Sequence, residues 1–291
     1  MDIVFHIGAN CTDDDRLLKS MLKNADVFAE FGVKVPGPGK YRRLLRETIQ
    51  GLAGAAPAPD IREVLLDAIL DGDEPQRMFL SNANFICIPN KIFDQGLFYA
   101  QTEDKVKGLL RLFPDDHITF CLGLRNPATF VPEAFRQSKA DTPEAFLRGF
   151  PPALIRWSDV VHRIRFVAPD APIVVWCNED TPLIWAELIR ELAGIPPRTR
   201  ITGGFDMLAA LMAPEGMSRL ARFIREHPPQ TVAQKRRIIA AFLDRYALPD
   251  ALEEEVDFPG LTEDSIAQIS AAYDADVALI GQIDGVRLIE A

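Results

Sequence analysis

The sequence predicts an α/β fold in three layers, a parallel sheet flanked by helices, with a helix-rich C-terminal half. Three observations predict it. Short apolar runs at 3–7, 78–81, 118–124 and 173–177 have the length of buried strands. Stretches of helical spacing separate them, which is the βαβ pattern of a parallel sheet. The composition, 48% hydrophobic and 25% charged, is that of an ordinary globular chain. A chain of 291 residues buries a core without staples, and we read 1–291 as one domain.

The first run starts almost at the first residue and ends at Gly8, so it is read as a central, buried strand. Thr12 opens a helix in which Leu17, Leu18, Met21, Leu22, Ala25, Val27 and Phe28 recur at roughly helical spacing. Gly32 and Val35-Pro36-Gly37-Pro38-Gly39 end it. A second helix covers 40–52, a small-residue and proline-rich linker 53–59, and a third helix 61–70. After the strand at 78–81 come Asn82 and Asn84, then a helix at 103–112. The strand at 118–124 runs into Arg125-Asn126-Pro127, and helical pattern resumes at 132–137 and 142–167. The strand at 173–177 is followed by a helix at 182–192, stopped by Gly194 and Pro196. Helices at 214–226, 231–246 and 262–281 complete the chain, with an acidic loop at 249–259. Ligands in such folds bind at the carboxyl ends of strands, so the residues to inspect follow Ile7, Ser81, Leu124 and Cys177.

Charge narrows the partners. The chain carries 32 basic and 42 acidic residues, a net charge of −10, which argues against non-specific nucleic-acid binding. Cys11, Cys87, Cys121 and Cys177 form no Cys-x-x-Cys pair and read as free thiols, mostly buried. His6, His117, His162 and His227 are scattered without ligand spacing, so no metal site is expected. His6 alternates with apolar residues inside the first strand and reads as a hydrogen-bonded core histidine. Met1-Asp2-Ile3-Val4-Phe5 lacks the basic and long apolar regions of a signal peptide, and no run approaches a membrane span. The expected location is the reducing cytoplasm.

The first turn reads Gly8-Ala9-Asn10-Cys11-Thr12-Asp13-Asp14-Asp15. A glycine after a first strand, followed by a helix N-terminus, is a geometry that binds phosphate. Phe5-His6-Ile7-Gly8-Ala9 with a short turn and a helix resembles the start of the bacterial sulfotransferases of the P-loop superfamily. In that family the loop Gly-Ala-Pro-Lys-Thr-Gly-Thr-Thr holds the 5′-phosphosulfate of 3′-phosphoadenosine 5′-phosphosulfate. The resemblance implies a P-loop-type sheet, and it implies Gly8, Ala9, Asn10, Cys11 and Thr12 as the donor loop. Cys11 stands at the family's lysine, Asp13 at its second glycine, and Asp14 and Asp15 at its two hydroxyl residues. A thiol cannot neutralise the charge that develops on the sulfuryl group as the lysine does. Thr12 with Asp15 also fits a capping box, which would satisfy the helix N–H groups internally. We therefore expect the loop to hold no phosphosulfate strongly.

The second element of the resemblance is Leu124-Arg125-Asn126-Pro127. The family's arginine and a serine eight residues later hold the donor's 3′-phosphate. Arg125 matches, and its planar guanidinium suits phosphate, but Glu133 stands at the serine. A strand-end arginine paired with a surface carboxylate is the other reading of Arg125. Weaker matches are Phe31-Gly32-Val33-Lys34-Val35-Pro36, Ser81-Asn82-Ala83-Asn84 where relatives carry a glutamate base, and Tyr273-Asp274-Ala275-Asp276. The basic cluster Lys40-Tyr41-Arg42-Arg43 follows a Gly-Pro-Gly turn, and Lys40 and Arg43 are the candidates to replace the missing loop cation. Lys235-Arg236-Arg237 is a second basic cluster, read as surface.

Two functions remain open at this point. One is a divergent sulfotransferase, moving a sulfuryl group in line from that donor to a hydroxyl of a small molecule or glycan, with no metal. The other is a catalytically inactive protein on the same fold, acting in binding or regulation.

Overall fold

The computed structural model describes residues 1–252 and 258–291. In chain order the elements are β1 (Asp2–His6), α1 (Arg16–Leu22), α2 (Ala25–Ala29), β2 (Val33–Lys34), α3 (Pro38–Leu52), α4 (Ile61–Leu70) and β3 (Arg77–Ser81). Then come α5 (Thr102–Leu112), β4 (His117–Leu124), α6 (Pro127–Gln137), α7 (Pro143–Leu147), α8 (Trp157–Val167), β5 (Ile173–Cys177) and α9 (Thr181–Ala193). The chain ends with α10 (Asp206–Leu211), α11 (Pro214–Glu226), α12 (Val232–Tyr246), α13 (Pro249–Leu252), α14 (Glu263–Ile280) and β6 (Val286–Ile289).

The six strands form one sheet in the order β2-β3-β1-β4-β5-β6, and every pairing is parallel. The first strand is central, as its apolar run predicts. Alternation along β1 builds both faces. Ile3, Phe5 and Ile7 enter the larger core, under residues of α3 to α6, α8 and α14. Val4 enters the second core with Leu17, Leu18 and Met21 of α1, Phe28 of α2 and Trp185 of α9. Helices on both faces of a parallel sheet make the three-layer α/β architecture.

Five details depart from the expected elements. β2 and β6 are edge strands that the apolar runs did not reveal. The single helix expected from Thr12 is two short ones, α1 and α2, broken at Lys23 and Asn24; Asn24 donates to the Ser20 and Thr202 carbonyls and accepts from the Thr202 N–H. The stretch 142–167 divides into α7 and α8, because Arg148 and Gly149 have positive φ and two prolines follow. Helix α6 begins at Pro127, with Asn126 capping the Ala128 N–H at 3.0 Å, and carries Pro132 inside it. The acidic loop expected at 249–259 begins as α13, and its residues 253–257 lie outside the described residues.

A third, smaller core joins α10, α11 and α12 through Leu208, Met212, Leu220 and Ile239. Here Gly216 lets α11 approach α12 closely. A Cβ at Gly216 would stand 2.4 Å from the Tyr246 Cβ and 2.8 Å from the Met212 Cγ. Gly216→Ala is therefore expected to destabilise the protein by about 1–3 kcal/mol through overpacking, against alanine's better helix propensity. Thermal unfolding checks this, and an unchanged or raised midpoint would refute it.

Candidate functional site at the switch point of the sheet

The chain leaves β1 toward β2 and β3 on one side and returns to place β4 on the other. The carboxyl ends of β1 and β4 thus frame a topological switch point, where open α/β sheets bind ligands. A cleft of about 730 Å³ opens there, between the loops after β1, β4 and β5 and an apolar wall that includes Leu183, Met207, Leu211 and Leu243.

The loop after β1 is held by the protein itself. Gly8 adopts φ +130°, and a Cβ there would meet the Ala83 carbonyl oxygen at 3.3 Å. The Ala9 N–H donates to the Gly123 carbonyl at 3.0 Å, and the Gly123 N–H donates to the Gly8 carbonyl at 2.8 Å. The Asn10 N–H donates to the Tyr99 hydroxyl at 3.1 Å, and that hydroxyl donates back to the Asn10 Oδ1 at 2.7 Å. The Asn10 amide also donates to Asn84 Oδ1 at 2.8 Å and to the Cys87 carbonyl at 3.2 Å. Ala9 and Asn10 are buried, so two N–H groups of the implied donor loop are spent inside the protein. Asn84 serves in this loop clamp.

The remainder of the turn departs from the expected capping box. Thr12 donates to the Ala9 carbonyl at 2.9 Å, while Asp13 accepts the Leu17 N–H at 2.7 Å and so caps α1. Asp15 has φ 62° at the helix boundary and makes no cap bond. Its carboxylate instead takes a bidentate pair from Arg42, at 2.9 and 2.6 Å, while the Arg42 Nε donates to the Ser81 carbonyl at 2.9 Å. This hydrogen-bonded pair holds the Asp15 carboxyl below the usual carboxylate range. Cys11 lines the cleft with its thiol pushed up to about 12, first by burial and next by the Glu133 charge. It is a thiol, not a thiolate, at neutral pH.

Arg125 is buried at the end of β4 and lines the cleft. Its Nη1 donates to the Cys11 carbonyl and its Nε to the Thr129 hydroxyl at 3.2 Å. Its own carbonyl accepts the Trp157 indole N–H at 2.9 Å. The arginine thus ties the loop after β1 to the loop after β4. Glu133 also faces the cleft, and its carboxylate accepts from Arg136 at 2.8 and 2.6 Å and from Gln137 at 2.6 Å. Burial alone would raise the Glu133 pKa, but these bonds hold it below the ordinary value.

The other expected cations lie elsewhere. Lys40 is exposed and pairs with Asp71; Arg43 is exposed and pairs with Glu47 at 2.8 Å. Neither lines the cleft. The member of that cluster that reaches the first turn is Arg42, through Asp15.

Glu179, after β5, is a cleft residue that the residue pattern did not single out. Its carboxylate accepts the Asn126 N–H at 2.8 Å and the Tyr273 hydroxyl at 3.1 Å. The side chain opens to the cleft, yet the surrounding protein mass raises its pKa above the ordinary glutamate value, against these two hydrogen bonds. The cleft therefore combines a buried arginine, a mix of acids and bases at its floor, and an apolar wall.

No protein-family model matches this chain, and no curated protein matches it. Among the described residues no helix is long and apolar enough to cross a membrane. Among them too, no group of three or more His, Cys, Asp or Glu residues is placed to hold a metal ion.

Proposed function

We propose that the chain is a cytoplasmic, sulfotransferase-like α/β protein that has lost sulfuryl transfer and binds a small ligand in the cleft at the switch point. One observation carries this reading. Two N–H groups of the implied donor loop, those of Ala9 and Asn10, already donate to the Gly123 carbonyl and the Tyr99 hydroxyl. A donor that engaged them would have to break these buried bonds, and leaving a buried donor or acceptor unmade costs about 1–3 kcal/mol each. The acids at the same place, Asp14 and Glu133, offset the charge that Arg16, Arg125 and Arg136 bring to the cleft. Cys11 supplies no cation, and Lys40 and Arg43 are engaged elsewhere. The sulfotransferase-like frame is supported by the parallel sheet, by β1 at its centre, and by an arginine that ends β4 beside the first turn.

Calorimetric titration with 3′-phosphoadenosine 5′-phosphate, on wild type and Arg125→Ala, tests the reading. We expect no heat at millimolar ligand from a protein shown to be folded by circular dichroism. Micromolar binding that disappears in Arg125→Ala would overturn it and restore the donor, 3′-phosphoadenosine 5′-phosphosulfate, as cofactor.

A further inference from the structure

The helical hairpin of α11 and α12 carries a feature that the cleft does not use. Between 214 and 246 the chain has seven basic and three acidic residues, inside a protein of net charge −10. Arg236 is spent on Glu187 at 2.6 Å, and Lys235 lies over the Phe205 ring. The remaining arginines concentrate on the outer face of the hairpin. Two adjoining hollows of about 430 and 510 Å³ share Phe223, Ala241 and Phe242 as their floor. Phe223 and Phe242 stand 5.8 Å apart, and Phe242 and Tyr246 also 5.8 Å, so the floor is a continuous aromatic strip. Arg219 and Arg222 rim it from α11, Arg237 and Arg245 from α12.

The charge on this strip is not balanced where it sits. Arg219 and Arg245 both stand over the single Tyr246 ring, at 5.7 and 5.6 Å from its centre. Arg219 and Arg222 also form (i, i+4) pairs with Glu215 and Glu226, but at 58% and 75% exposure these pairs are weak and readily exchanged for another carboxylate. The same exposure makes the groove too open to enclose a small molecule, which a ligand pocket largely buries.

We infer that this groove docks an acidic amphipathic helix of a partner protein. The spacing fits helix-in-groove recognition. On α11 the rim and floor residues are 219, 222, 223 and 226, and on α12 they run from 234 to 246, about 18 Å at 1.5 Å per residue. Two to three turns of a partner helix would lay apolar side chains on Phe223, Phe242 and Tyr246, with carboxylates meeting the four guanidinium groups. An anionic membrane is the poorer occupant. It would bring the acidic remainder of the chain toward a like-charged plane, whereas a single helix engages the strip alone within a Debye length of about 8 Å.

The test uses the full chain and a fluorescein-labelled synthetic helix with Leu at i, i+3, i+4 and i+7 and Glu elsewhere. Anisotropy should show saturable binding that weakens with added salt. It should fall at least about tenfold in Arg222→Glu/Arg245→Glu, whose two positions are exposed and whose fold circular dichroism can verify. A Lys-for-Glu version of the peptide should not bind. Absence of saturable binding, or equal binding to wild type and the double variant, would overturn the inference. So would co-sedimentation with phosphatidylserine vesicles in place of peptide binding, or self-association of the chain that the double variant abolishes.

Discussion

Trp157→Ala is expected to lower the unfolding free energy by about 3–5 kcal/mol, the range for deleting a fully buried large aromatic. Trp157 is 0% exposed at the start of α8. Its ring packs edge-on against Phe98 at 4.9 Å and Phe130 at 5.3 Å, with Tyr99 at 5.7 Å. The cavity would therefore open inside an aromatic cluster whose members have little freedom to collapse. The indole N–H adds a second loss, because it donates to the carbonyl of Arg125. Trp157→Phe separates the two terms. It keeps most of the volume and strands that carbonyl, so it should cost about 1–3 kcal/mol. Urea unfolding followed by circular dichroism checks both values, and a loss below about 1 kcal/mol in Trp157→Ala would show that the cluster repacks. The consequence reaches the cleft, since Tyr99 clamps Asn10 and Trp157 positions the residue that ties β4 to the first turn.

The parts of this molecule legible in its sequence are those with a local signal. Strands β1, β3, β4 and β5 are buried on both faces and read as continuous apolar runs. β2 has two residues, and the partly exposed β6 includes a charged Arg287, so neither leaves such a run. The carboxyl ends of the strands were equally legible as the place to look, because they follow each apolar run, whereas the switch point needs the strand order. What the sequence did not reveal is where polar groups spend their bonds. Asp15 looked like a cap because Thr12 stands three residues before it, but a partner 27 residues later in the chain, Arg42, takes its carboxylate. Asn10 looked like part of an anion loop, and Tyr99, 89 residues away, occupies it. Glu179, with Asp180 beside it, is an acid after a strand, a pattern too common to point anywhere without the fold that brings Tyr273 to it. Long-range partners of this kind separate a loop that resembles a phosphate cradle from one that acts as such.

Acid should destabilise this protein from near neutrality, earlier than carboxylate protonation would explain, and His6 is the reason. The ring is 1% exposed on the central strand, with Nδ1 2.8 Å from the Ser81 hydroxyl, and it lies between Trp176 at 5.5 Å and Phe79 at 6.5 Å. Burial pushes its pKa below the ordinary 6.5; Asp13 and Asp15 oppose the shift and Arg42 adds to it. An unfolded chain binds a proton at His6 near pH 6.5, where the folded chain still refuses it. Stability is then complete above that pH and declines as pH falls toward the folded-state pKa, with a slope that approaches about 1.4 kcal/mol per pH unit. Asp15 acts in a lower window. Its folded pKa is depressed, so its contribution is present above the ordinary carboxylate value and is lost only as pH falls through the depressed one. His6→Asn retains a polar partner for Ser81 and removes the titration. Unfolding free energies for the two proteins, measured between about pH 7.5 and pH 5, should diverge in slope, since the carboxylates, Glu179 included, are common to both. Parallel curves would mean that His6 accepts its proton in the fold, and that the sheet beneath the cleft tolerates a buried imidazolium.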